Sequence, residues 1–169
     1  RHATSKLPDN DLNKIDYLGF RGEALPSIAA VSELNIQTKF RDSNKAWSLD
    51  VVAGSFNEVY PSSLQKGTII SVKKLFYSTP ARLKFLKSSQ VEKSYCHQII
   101  LKQALVNPLV GFKFHADNRK IFNIRPETEN DYSYLNRIRN IMGLSFSDEA
   151  IKIENSKLIK ENEFAKIYG

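Results

Sequence analysis

Apolar and polar positions alternate with a period of two through Leu34-Asn35-Ile36-Gln37-Thr38-Lys39-Phe40, and the pattern returns over 46–53, 56–60 and 68–75. Gly, Ser, Asn and Pro punctuate the gaps, so these runs predict successive antiparallel strands. After Thr79-Pro80 the period lengthens: 81–87 predicts a short helix and 91–106 a longer one, stopped at Asn107-Pro108. Val110 to Ile124 alternates again around Asp117-Asn118, a hairpin signal weaker than Asp-Gly. A polar linker at 127–131 precedes a predicted helix over 132–142 with Gly143 as its cap, then two strand-like runs at 150–153 and 164–168. Upstream, 1–16 is polar and rich in turn formers such as Pro8-Asp9-Asn10-Asp11; it reads as a surface loop with a short helical turn at 11–15, of a length common in lids and binding loops. A helix is predicted to begin near Gly22 and run toward Val31, with Pro26 tolerated because it falls in the first turn.

A length of 169 residues with 41% apolar composition suits one globular domain, or one and part of another. No apolar run approaches the roughly 18–20 residues of a membrane span. The formal net charge of +7 fits contact with a polyanion through counterion release, without naming the polyanion. The single cysteine, Cys96, excludes a disulfide framework within the chain, fits a reducing compartment and reads as a buried small apolar residue. His2, His97 and His115 lack the spacing of metal ligands, so no metal site is expected. The opening Arg1 and the closing Lys166-Ile167-Tyr168-Gly169, which still alternates, read as the ends of a piece of a longer protein.

The densest chemistry lies in Gly19-Phe20-Arg21-Gly22-Glu23-Ala24-Leu25. Paired glycines let backbone N–H groups crowd round an anion where a helix begins. It is neither a Walker loop nor a dinucleotide fingerprint, since G-x-x-x-x-G-K-[ST] and G-x-G-x-x-G are both absent. Alone, such a turn is as readily an ordinary entry into a helix.

Its surroundings carry more. Arg1-His2-Ala3-Thr4-Ser5-Lys6, then Leu18 to Leu25 with Ser27-Ile28-Ala29, resembles the ATP lid and third motif of the MutL family within the Bergerat-fold (GHKL) ATPases. Gly67-Thr68 with Leu75-Phe76-Tyr77-Ser78-Thr79-Pro80-Ala81-Arg82-Leu83-Lys84-Phe85-Leu86-Lys87 resembles that family's stretch after its fourth motif. The likeness continues more loosely through Asn107-Pro108, the hairpin, Leu135-Asn136-Arg137-Ile138 and Met142-Gly143. Ser78 and Pro26 depart from the usual Asn and Ala, and neither removes a group that a phosphate site needs.

The resemblance implies an α+β fold: a two-layer sandwich of a mixed, mainly antiparallel sheet with helices on one face. It implies that 1–129 is the C-terminal portion of a GHKL-type ATPase domain and 130–169 the truncated beginning of a transducer domain. The nucleotide-binding residues would be Thr4, Ser5 and Lys6 in the lid, Gly19, Phe20, Arg21, Gly22, Glu23, Ala24 and Leu25 in the loop, and Thr68 at the start of a buried strand. Glu23 is expected to serve the helix end rather than act as a base. The family's general base, magnesium-binding asparagine and adenine-reading motif have no counterpart in these residues. No catalytic or metal-binding residue is therefore assigned, and these residues alone should not hydrolyse ATP.

For the intact parent the resemblance implies ATP with Mg2+ and ATP-dependent homodimerisation, neither cofactor binding tightly to the fragment. It further implies loading on mismatched or non-specific DNA, and coordination of a mismatch-recognition protein with a strand-incising nuclease or helicase. A bacterial cytoplasmic, nucleoid-associated location without membrane contact follows. Between 81 and 106, Arg82, Lys84, Lys87, Lys93 and Lys102 face the single acid Glu92; Arg82, Lys84 and Lys87 are the candidate DNA contacts. The competing reading is a non-catalytic basic nucleic-acid-binding module with a degenerate ATPase fold. Another Bergerat-fold ATPase, such as a topoisomerase subunit or chaperone, is disfavoured by the Arg1–Lys6 and Phe76–Arg82 blocks.

Overall fold

The computed structural model describes residues 4–6, 19–151, 153–160 and 163–168, so the turn expected at 11–15 lies outside the described residues. Its Cα packing divides the chain into two compact units, Arg1–Leu86 and Lys87–Gly169.

In the first unit the alternation of β1 (Glu33–Lys39) sorts its side chains onto two faces of a sheet. β1 is paired antiparallel on both sides, with β2 (Ala46–Val52) and β5 (Gly67–Lys73). On one face Leu34 lies opposite Val51 and Ile36 opposite Leu49, and there α1 (Ala24–Ala29) contributes Ile28 and Ala29 to a small core. Leu34 and Val51 are each only 2% exposed, a burial that stabilises by about 2 kcal/mol per side chain. The helix is held at its C-terminal end. Gly54 N–H donates to Ala29 O and Ala53 N–H to Ser32 O, both at 3.0 Å, while Ser32 Oγ donates to Ile28 O at 2.7 Å. Ala53 (φ 48°) and Gly54 (φ 85°) are both left-handed, the geometry of a tight hairpin turn, and a Cβ on Gly54 would stand 3.6 Å from Ala30 Cα.

The strand expected at 56–60 is instead two pieces, β3 (Ser55–Phe56) and β4 (Tyr60–Ser62), both paired with β2. Phe56 faces Val51 and Tyr60 faces Ser48, so four steps on one side oppose three on the other and the ladder breaks between them. β5 lies at the end of the order β3-β2-β1-β5. It is mostly exposed, with Ile70 and Val72 at 46% and 43%, which corrects the expectation of a buried strand starting at Thr68.

The opposite sheet face is polar and internally bonded. Asn35 Nδ2 donates to Ser48 Oγ (2.9 Å) and Asp50 Oδ1 (2.8 Å), and Tyr60 OH donates to Asp50 Oδ2 at 2.8 Å. Hydrogen bonds from Asn35 and then Tyr60 hold the Asp50 carboxyl below its ordinary range. A carboxyl depressed in this way stabilises the fold above its unfolded value near about 3.9, and that contribution is lost as pH falls through the lower folded value. Asp50→Asn should therefore narrow the drop in thermal midpoint between pH 5 and pH 3, as read by circular dichroism; an unchanged drop would assign the acid sensitivity elsewhere. At the sheet's other margin Lys74 Nζ lies 2.7 Å from Glu33 Oε1, a pairing that raises the lysine pKa.

In the second unit α3 (Ser89–Val106) packs on the hairpin of β6 (Phe112–Ala116) and β7 (Arg119–Ile124). His97 meets Phe122 edge-on at 5.5 Å, and Phe114 and Phe122 lie 5.6 Å apart. The turn is Asp117-Asn118, both left-handed, so Asp-Asn supplies the conformation that Asp-Gly more often does. Cys96 is exposed rather than buried, because the helix turns His97, Ile100, Leu101 and Ala104 away from solvent.

α4 (Ser133–Met142) ends at Gly143 (φ 96°) and is followed by α5 (Leu144–Asp148), an element the sequence pattern did not predict. Ala150, Ile151 and Ile153 of the run expected at 150–153 lie outside any strand; β8 (Glu154–Lys160) follows and pairs with β9 (Glu163–Tyr168). Arg137 of α4 is 0% exposed. Its guanidinium donates to Ala104 O (3.2 Å), Pro108 O, Val110 O (3.0 Å) and Arg125 O (3.0 Å), and Nε lies 3.4 Å from Glu127 Oε1. One side chain thus gathers the end of α3, the loop after it and the base of the hairpin.

Candidate nucleotide-binding site

The loop at 19–25 is a tight turn feeding α1. Gly22 N–H donates to Gly19 O at 3.2 Å, and both glycines are left-handed, Gly19 at φ 81° and Gly22 at φ 64°. A side chain at either would be strained, so the glycine spacing read from the sequence is what this backbone requires. Because they open the helix, the N–H groups of Ala24 and Leu25 have no intrahelical partner, and Pro26 has none to place. Glu23 occupies the cap position without a side-chain capping bond, and its carboxylate lies 3.9 Å from Arg21 Nε. Arg21 itself projects into solvent, its side chain 80% exposed.

Thr4 joins the described part of the expected lid to this loop. Its Oγ1 donates to Gly19 O at 2.9 Å and accepts from Lys6 N–H at 3.1 Å. Thr4, Ser5 and Lys6 are exposed, so Lys6 is held through its backbone while its side chain is open to solvent. Removing the hydroxyl with Thr4→Val should loosen the lid from the loop and weaken ATP affinity about three- to tenfold, the equivalent of one ordinary hydrogen bond. Titration of the full-length protein with a fluorescent ATP analogue reads this directly, and an affinity within twofold of the unaltered protein would separate Thr4 from the site.

Thr68 stands in β5, cross-strand from Thr38, with the two hydroxyls 2.8 Å apart. By alternation it shares the sheet face of Ile70 and Val72, which is the face α1 covers. No hydrogen bond joins Thr68 to residues 19–25 among the described residues. The structure does unite the loop's helix with the second sequence block by another route: Phe76, left-handed at φ 66°, donates its N–H to Val31 O at 2.7 Å, and Thr79 N–H donates back to Phe76 O at 2.9 Å. A non-glycine residue held in this conformation is a strain maintained by its surroundings. Neither the Thr4 bond nor the Phe76 tie had a sequence signal beyond the two motif blocks themselves.

The short helix after this tie, α2 (Pro80–Leu83), is briefer than the 81–87 expected, so Lys84 and Lys87 lie beyond it. Arg82, Lys84 and Lys87 are all exposed. Lys87 also donates its backbone N–H to Glu92 Oε1 at 2.9 Å. Lys93 drops out of the free basic set, because its Nζ is 3.3 Å from Asp117 Oδ2. Among the described residues no group of three or more His, Cys, Asp or Glu is placed to hold a metal, and no helix is long and apolar enough to cross a membrane.

No family model matches the chain. It is 40% identical over 155 residues to the DNA mismatch repair protein MutL of Paramagnetospirillum magneticum and 43% identical over 155 residues to that of Rhodospirillum rubrum, covering 91% of this chain in both cases. The chain spans about a quarter of the length of these relatives. Among solved structures it matches the Aquifex aeolicus MutL ATPase domain complexed with ADP, at a TM-score of 0.66 and 22% identity over 87% of this chain and 55% of that one. It also matches the N-terminal domain of a DNA repair protein, at a TM-score of 0.62 and 25% identity over 82% of this chain and 42% of that one. The antiparallel sheet with its helices is thus part of a GHKL-type ATPase fold, the α+β class expected from the sequence. Over the residues matched, the chain is similar to a segment of the DNA mismatch repair protein MutL.

Proposed function

We propose that this chain is the lid, phosphate-loop and basic-helix portion of an ATP-gated mismatch repair protein that clamps DNA and couples mismatch recognition to strand incision. The observation that carries the proposal is the bond from Thr4 to Gly19: it fastens the lid segment onto a glycine-flanked loop whose Ala24 and Leu25 N–H groups have no partner within their helix, as a phosphate-binding helix start requires. In this reading residues 19–25 wrap the triphosphate through their backbone, Thr4, Ser5 and Lys6 close over it, and Thr68 lines the pocket from the sheet. The ADP held by the Aquifex domain supports a nucleotide as ligand. Magnesium, when bound, would neutralise charge on the triphosphate; the described carboxylates do not cluster to hold it, and the part these residues play is to bind and enclose the phosphates.

The domain reading follows the same lines, with 1–129 as part of the ATPase domain and 130–169 as the start of the transducer. ATP-dependent pairing of two copies, a mismatch-recognition protein and an incising nuclease or helicase complete the assembly, in the bacterial cytoplasm. Expression of the gene in a bacterial strain lacking its own MutL tests the whole reading: the spontaneous mutation frequency should fall toward the repair-proficient level. A frequency that stays at the mutator level, together with no ATP binding by the purified full-length protein, would overturn it. DNA binding indifferent to nucleotide would instead support the non-catalytic module.

A further inference from the structure

The outer face of the β6–β7 hairpin carries charge that the nucleotide loop does not use. Phe112, Phe114, Phe122 and Ile124 are half-buried, whereas Lys113, His115 and Asn123 are exposed on the other side of the ribbon. Strict alternation would send Lys120 inward with Phe122, two residues away. A bulge prevents it. The register shifts between Phe114 and His115, so that Lys120 rather than Ile121 pairs with His115 and joins the solvent face. Lys113 lies opposite Asn123, and Arg125, two residues beyond Asn123, is exposed on the same side. At the open end of the hairpin Lys113, Asn123 and Arg125 line a shallow hollow of about 420 Å³ together with Gly111, Ile124 and Pro126.

The hairpin's one carboxylate, Asp117, is occupied by Lys93. Lys113, Arg119, Lys120 and Arg125 have no carboxylate within ion-pair distance among the described residues. Lys113 stands diagonally across the ribbon from both Lys120 and Arg125, and diagonal cross-strand neighbours lie about 7–8 Å apart, a pitch suited to successive phosphates. Confining like charges on a ribbon is unfavourable unless a polyanion meets them, and the counterions they release then drive binding. Contacts to phosphates position a protein on the duplex and carry no sequence information, so this contact would be independent of sequence.

We propose that this outer hairpin face tracks the phosphate backbone of duplex DNA, with Lys113, Lys120 and Arg125 on phosphates and Asn123 bonding alongside. It is a contact set separate from Arg82, Lys84 and Lys87, and the choice of DNA rests on the repair reading above. The test is a salt titration of duplex binding, followed by fluorescence anisotropy, with the protein and its Lys113→Gln/Lys120→Gln/Arg125→Gln variant. The log–log salt slope should become shallower by about 2 to 3, and affinity at moderate salt should fall at least about tenfold. ATP-analogue affinity should not change, and Lys113→Arg/Lys120→Arg, which keeps the charge, should keep the slope. An unchanged slope in the triple variant would remove the hairpin from the interface. Failure of the unaltered protein to bind duplex DNA would overturn the repair reading along with it. Loss of binding to phosphatidylglycerol vesicles without any change in DNA slope would assign the face to an anionic lipid surface instead.

Discussion

Arg137→Met should destabilise the second unit by about 3–5 kcal/mol. Methionine fills much of the volume but donates nothing. The carbonyls of Ala104, Pro108, Val110 and Arg125 would lose their shared donor, and Glu127, whose side chain is only 12% exposed, would keep a charge without its cation. Asn140 Nδ2 still donates to Glu127 Oε1 at 2.8 Å, so part of the carboxylate's demand remains met. Glu127→Gln keeps an amide oxygen beside Arg137 and leaves its four carbonyl acceptors in place, and should cost less than the loss of the arginine. Arg137→Lys keeps the charge yet cannot fan out to several carbonyls, and should fall between the two. Urea denaturation followed by far-ultraviolet circular dichroism ranks the three variants. A loss below about 1 kcal/mol for Arg137→Met would mean that the loops hold their positions without it.

Gly22→Val carries the second large effect, on binding more than on stability. The native φ of 64° costs an L residue about 1–2 kcal/mol, and β-branching adds to that cost. The loop can escape the strain by flipping out of the left-handed well, which would break the Gly22–Gly19 hydrogen bond and displace the backbone that leads into α1. ATP-analogue affinity should fall by at least tenfold while the thermal midpoint moves only by the cost of the strain. Arg21→Ala is the informative companion, because its exposed side chain contributes little if the backbone does the binding. If Gly22→Val lowers the midpoint but leaves affinity intact, the turn is a structural entry into α1 and nothing more.

The contrast between what could and could not be read from the chain follows the range of the interactions. β1, β2 and β5 were legible because alternation within seven residues reports directly which side chains face the helix and which face the polar network. The glycines at 19 and 22 were legible because a left-handed backbone leaves a local mark on residue type. Arg137 was visible only as one letter in a loose motif; its four carbonyl partners lie 12 to 33 residues away. The same holds for Lys93, which looked like part of a basic face until the hairpin brought Asp117 to it. Strand length failed where pairing, not composition, decides it: residues 56–60 have strand character throughout, but β2 offers them one position too few.

The two neighbours of β1 are not equally committed to their register. Sliding β2 by one residue would bring Asp50 and Ser48 onto the apolar face and strip Asn35 of both its acceptors, so that error carries its own correction. β5 has consecutive isoleucines at 69 and 70, so a one-residue slide in one direction still presents an isoleucine to Ile36; what it gives up is the hydroxyl pair at Thr38–Thr68, the surface contact of Lys74 with Glu33 and the valine opposite Leu34, where Ser71 would stand. The register of β5 is thus the less strongly specified of the two, and the Phe76 tie to Val31 adds to what fixes it.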